Sequence, residues 1–144
     1  MFKMDAIYTA KAIAEGGRAG KVKSSDGVLD LGLAMPKSLG GSGDEGATNP
    51  EQLFAAGYAA CFDSALNLVA RQAKKKIESK VTAEVSIGKD PADGGFKLGV
   101  LLAVAVGGVE LAEAEQLVEK AHGVCPYSKA TSGNIEVDYQ TTSL

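Results

Sequence analysis

Cysteine is scarce in this sequence, with only Cys61 and Cys125 in 144 residues. A secreted domain of this length held together by disulfides would carry more, so the count argues against a disulfide scaffold. Two lone thiols far apart in sequence are either inert core residues or a redox pair. Histidine is scarcer still. His122 has a ligand-like gap to Cys125, but one histidine and two cysteines build no credible metal shell, and no metal is expected. Positive charge is also short: the formal net charge is -3, with no basic tract beyond Lys74-Lys75-Lys76. Nucleic acid is therefore not expected as a partner, since phosphate binding needs a clustered positive field. The longest apolar stretch, residues 98–109, is interrupted by glycine and too short to span a bilayer. The start, Met1-Phe2-Lys3-Met4-Asp5, has no apolar core of signal-peptide length. These absences predict a cytoplasmic protein with no membrane segment.

What is present reads as one globular domain over residues 1–144, with 45% hydrophobic and 23% charged residues. Ile7, Thr9, Lys11 and Ile13 alternate with Ala6, Tyr8, Ala10 and Ala12, a strand pattern that Gly16-Gly17 closes. Asp26-Gly27 is a hairpin dipeptide between a short strand over residues 21–23 and another over residues 28–33. Asn49, Pro50 and Gln52 supply an N-cap, a first helical residue and a capping-box partner. The helix they open is apolar or small nearly all round from Leu53 to Phe62, which predicts a buried, central element. Strands are expected over residues 81–88 and 96–106, a second amphipathic helix over 111–121, and a closing strand through Ile135, Val137 and Tyr139. Because strands and helices come in blocks, the class is α+β with mostly antiparallel pairing.

Four positions could carry chemistry. Cys61 lies in mid-helix, one turn from Gly57 and Tyr58. A glycine inside a helix costs about 1 kcal/mol against alanine, so Gly57 needs a reason. Either another element approaches closely there, or Gly57 opens an apolar-walled slot beside the sulfur for an alkyl chain. Cys125 precedes Pro126, a common first helical residue, and an N-cap position would favour its thiolate. Arg18, in Gly16-Gly17-Arg18-Ala19-Gly20, reads as a solvated turn residue, and the helix dipole alone accounts for Glu51.

Taken together these segments resemble the organic hydroperoxide resistance proteins of the Ohr/OsmC superfamily along essentially the whole chain. The resemblance is carried by Gly17-Arg18-Ala19-Gly20 with Ser25-Asp26-Gly27, by the unbroken run from Thr48 through Asn49-Pro50-Glu51-Gln52-Leu53-Phe54 to Cys61-Phe62, by Cys125-Pro126-Tyr127-Ser128 and by Gly133-Asn134. Ser132 stands where members of the family often have arginine. The resemblance implies an OsmC-like fold, an intertwined homodimer, and reduction of alkyl or lipid hydroperoxides without a cofactor. It makes Cys61 the peroxidatic thiol and Cys125 the resolving one. Arg18 would stabilise the thiolate, with Glu51 holding Arg18, and a dithiol such as a lipoylated protein would regenerate the pair. Phe54, Gly57, Tyr58 and Tyr127 are the expected pocket walls.

Residue chemistry is consistent with those roles. A thiol in an apolar site is harder to ionise, and a guanidinium that never deprotonates reverses that trend. Along a regular helix the ten residues from Glu51 to Cys61 rise about 15 Å, too far for one side chain to cover. Each site of a dimer is thus expected to take Glu51 from the partner chain. Two rival readings carry the same cysteines: a redox sensor, and a non-catalytic protein that binds apolar ligands.

Overall fold

The computed structural model describes residues 2–144, which form two compact units: one ending at Pro50, the other Glu51–Leu144. The first unit is a three-stranded antiparallel sheet in the order β1 (Ala12–Glu15), β2 (Lys21–Ser24), β3 (Asp30–Gly32). Between β1 and β2 a 3₁₀ turn, Gly17–Ala19, carries Arg18. The turn depends on glycine. Gly16 and Gly17 have φ of 81° and 61°, and a Cβ on Gly20 would lie 1.7 Å from the Glu15 carbonyl oxygen. The expected hairpin at Asp26-Gly27 forms, with Gly27 at φ 77°. The Asp26 carboxylate accepts from the Ser24 hydroxyl at 2.6 Å and the Val28 N–H at 3.0 Å, and these bonds hold its pKa below the usual value.

The first strand is shorter than the alternation predicts. No regular strand forms over residues 6–11, because β2 ends at Ser24, opposite Ala12, and leaves the preceding pattern no ladder in this chain. The strand expected over residues 28–33 likewise narrows to β3.

The second unit opens with α1 (Pro50–Gln72), whose start falls at the expected proline. It ends where Lys74 turns left-handed at φ 58°, so the lysines at 74–76 follow the helix instead of closing it. By length and composition α1 could cross a membrane. Here its buried residues, Tyr58, Phe62, Ala65, Leu66, Val69 and Ala70, belong to the core of the unit. Strands β4 (Glu78–Lys89) and β5 (Phe96–Gly107) pair antiparallel over their full length around the turn that holds Gly94 at φ 76°. Helices α2 (Leu111–Val124) and α3 (Pro126–Thr131) then cross over to β6 (Val137–Ser143), which pairs parallel to β5. That parallel edge is the exception to the antiparallel expectation, and it is possible because a two-helix crossover supplies the length a parallel return needs.

Alternation sends Val100, Leu102, Val104 and Val106 of β5 to one face, where they join the α1 residues and Ala114, Leu117, Val118 and Ala121 of α2. Each large side chain enclosed there contributes about 1.5–3 kcal/mol from apolar burial. Cys125 is part of the same cluster.

Candidate functional site

Proline determines where the second cysteine sits. The residue before a proline is pushed out of helical conformation, and Cys125 accordingly has φ -64° and ψ 121°. It ends α2, its N–H donating to the Ala121 carbonyl at 2.8 Å, and it directly precedes α3. This break in the helical path leaves its side chain fully buried against α1, with its Sγ 3.7 Å from Cys61 Sγ. Both thiols are free, and Cys61 is only half-buried. A disulfide needs about 2.0 Å, so the sulfurs would close by about 1.7 Å.

Cys125 takes the expected N-cap position and makes no side-chain capping bond. Instead the backbone N–H of Tyr127, in the first turn of α3, bonds the sulfur of Cys61. Burial pushes the Cys61 thiol above its ordinary pKa, the Tyr127 N–H pulls it down, and Cys125 adds a further upward push. The net direction is upward. The groups around Cys61 in its own unit therefore leave it a thiol at neutral pH.

Gly57 has a visible purpose. A Cβ there would stand 2.5 Å from the Tyr127 hydroxyl oxygen and 3.0 Å from the carbon that bears it. The close-approach reading thus describes this structure: the space beside Gly57 is filled by the Tyr127 phenol. Tyr127 is 38% exposed, and its ring lies 6.1 Å from that of Phe54 and 5.7 Å from that of Tyr58. Tyr58 is fully enclosed, its hydroxyl bonded to Ser128 Oγ at 2.8 Å and Thr131 Oγ1 at 3.3 Å. Phe54, Gly57, Tyr58, Cys61, Cys125 and Tyr127 are therefore one neighbourhood built by α1 and the start of α3.

The two other sequence candidates belong to different segments of the chain. Arg18 belongs to the first unit, half-buried on its turn and lining a cleft of about 430 Å³ with Leu33, Met35 and Asp44. Glu51 is in the first turn of α1, ten positions before Cys61 on an unbroken helix.

Sequence reasoning missed Ser128 and Thr131 as partners of Tyr58, although their i, i+3 spacing after Cys125 places them on one face of a short helix. It also missed Tyr139, whose hydroxyl bonds His122 Nδ1 from β6. Nothing local in the sequence signals that pairing, which depends on β6 lying parallel to β5.

Residues 41–140 match the family described as OsmC-like protein. The chain is 64% identical to the organic hydroperoxide resistance protein OhrA of Bacillus subtilis, covering 91% of this chain and 93% of that protein. The crystal structure of an organic hydroperoxide resistance protein from Elizabethkingia anophelis superposes with a TM-score of 0.92 at 54% identity, covering 98% and 100% of the two chains. That of OhrB from Bacillus subtilis gives 0.88 at 49% identity, covering 95% and 100%.

Proposed function

Because this chain belongs to the OsmC-like family, and within it to the organic hydroperoxide resistance proteins, we propose that it is a cysteine-based peroxidase reducing alkyl and lipid hydroperoxides to alcohols. The observation that carries the reading is the pair of free sulfurs in contact at 3.7 Å, one partly open and one fully buried. Cys61, the accessible one, is the group that meets peroxide. Its thiolate attacks one peroxide oxygen, the O–O bond breaks, and the alkoxide leaves and takes a proton to become the alcohol. Cys61 is then a sulfenic acid. Cys125, already adjacent, condenses with it, forming the disulfide and releasing water before a second peroxide arrives. A dithiol, such as that of a lipoylated protein, reduces the disulfide by exchange. No cofactor takes part.

The raised Cys61 pKa makes a cation necessary, and Arg18 is the residue we assign to that role, with Glu51 holding it. We further propose that the units work as one domain of an intertwined homodimer. Among the described residues up to Pro50 none is buried, and Ile7 and Tyr8 are 102% and 81% exposed in a segment patterned as a strand. A second copy would cover them and bring its own Glu51 to Cys61. We assign the protein to the cytoplasm, where thiols stay reduced, with no membrane or nucleic-acid partner.

The decisive experiment follows consumption of cumene hydroperoxide and hydrogen peroxide with lipoamide or thioredoxin systems as reductant. Sustained turnover, faster with cumene hydroperoxide and supported by lipoamide, is the expected result. One oxidation without turnover would point to a redox sensor. A protein with both cysteines inert would sink the reading. Heterodimers of a Cys61→Ser chain with a Glu51→Ala chain should recover about half the activity per dimer, since a cross-chain site leaves one centre intact.

A further inference from the structure

Two tyrosines bracket Cys125. Three residues before it, His122 in the last turn of α2 bonds through Nδ1 to the Tyr139 hydroxyl of β6, and the rings meet edge to face at 4.8 Å. The ring of Tyr139 also packs on Phe62, with centroids 6.0 Å apart, and Phe62 is the fully buried neighbour of Cys61 in α1. Tyr139 thus connects the turn leading into Cys125 with the residue following Cys61. Three residues after Cys125, Ser128 bonds the Tyr58 hydroxyl, and Tyr58 lies one turn before Cys61 on α1. The two contacts flank both cysteines, one on each side of each.

We propose that Tyr139, with Tyr58, is a positioning residue for the thiol pair, forming a two-point clamp that presets the sulfurs for bonding. The proposal rests on the reading of Cys61 and Cys125 as a redox pair. Its physical content is preorganisation: closing about 1.7 Å between thiols already held in register loses less conformational freedom than closing between loose ones. The clamp should therefore favour the disulfide over the dithiol at equilibrium, whatever oxidant makes it.

The test uses glutathione and not peroxide, so that it stands apart from catalysis. Two protein thiols and one glutathione disulfide exchange to one protein disulfide and two glutathione thiols, transferring two electrons and two protons. The ratio of forms is read in the full-length protein for wild type, Tyr139→Phe, His122→Ala and the double variant, each checked as folded by near-ultraviolet circular dichroism. Tyr139→Phe keeps the ring on Phe62 and removes only the hydroxyl. The expected result is a threefold to tenfold shift toward dithiol in either single variant, the range for one neutral hydrogen bond. The double variant should shift no further than His122→Ala, which already removes both the bond and the ring contact. A folded Tyr139→Phe protein with the wild-type ratio, a shift toward disulfide, or effects that add in the double variant would overturn the clamp and leave the peroxidase reading untouched. A wild-type pair that glutathione disulfide does not oxidise would overturn the clamp, and the peroxidase reading would still be decided by peroxide consumption.

Discussion

The two units of this protein obey different constraints. In Glu51–Leu144 a cluster of fully enclosed side chains, among them Phe62, Leu66, Leu102 and Val104, defines the fold, and the sulfurs are part of it. In the unit ending at Pro50 no described residue is buried, and backbone requirements at Gly16, Gly17, Gly20 and Gly27 shape the chain instead. Hydrophobic burial scales with area removed from water, so the second unit has its own source of stability and the first has little. The lesson is that the sulfur pair is embedded in the enclosed core, whereas the arginine proposed to serve it is carried on a turn held by glycines.

The sharpest way to break the comparison is at the sulfurs. Cys61→Ser should abolish turnover altogether. Cys125→Ser should leave one oxidation that runs on to sulfinic or sulfonic acid at Cys61, visible by mass spectrometry after peroxide treatment. An unmodified Cys61 in that variant would reverse the assignment of roles.

Stability should divide along the same line. Phe62→Ala, in the enclosed core, should lower the unfolding free energy by about 3–5 kcal/mol. Val28→Ala, in the first unit and 81% exposed, should change it by less than about 0.5 kcal/mol. Urea titration of both proteins measures the contrast, and equal losses would dissolve it.

Arg18→Lys probes what the first unit contributes. The fold should survive, because the change leaves the glycines of the turn in place. Burial already holds the Cys61 thiol high, so reactivity climbs with pH until the thiol ionises. Losing the guanidinium should move that climb upward by about one pH unit, slowing alkylation at neutral pH about tenfold. Alkylation rate against pH reads the shift directly, and coincident curves would return Arg18 to the role of a turn residue.

How much of this was legible beforehand varied with the range of the forces involved. The α1 start at Pro50, the β4–β5 pair, α2 and the helical turn after Cys125 depend on local patterns of apolar period, proline and glycine, and the sequence displays these. Residues 6–11 alternate as a strand would, but pairing requires a neighbour, and alternation cannot reveal its absence. The purpose of Gly57 was open until Tyr127, seventy positions later, was seen to fill the space. The Tyr58–Ser128 and Tyr139–His122 bonds are equally non-local, products of how α3 and β6 pack. The thiol pair was legible as residue types, its contact distance was not.

The placement of tyrosines has an optical consequence. The sequence contains no tryptophan and four tyrosines. Tyr58 and Tyr127 lie with centroids 5.7 Å apart beside the cysteines, Tyr139 packs on the residue following Cys61, and Tyr8 is far more exposed. The intrinsic ultraviolet emission of the molecule therefore originates mostly around its sulfur pair. Oxidation that shifts α3 against α1 should register as a change in tyrosine fluorescence, so the native protein, without any label, reports its own redox state.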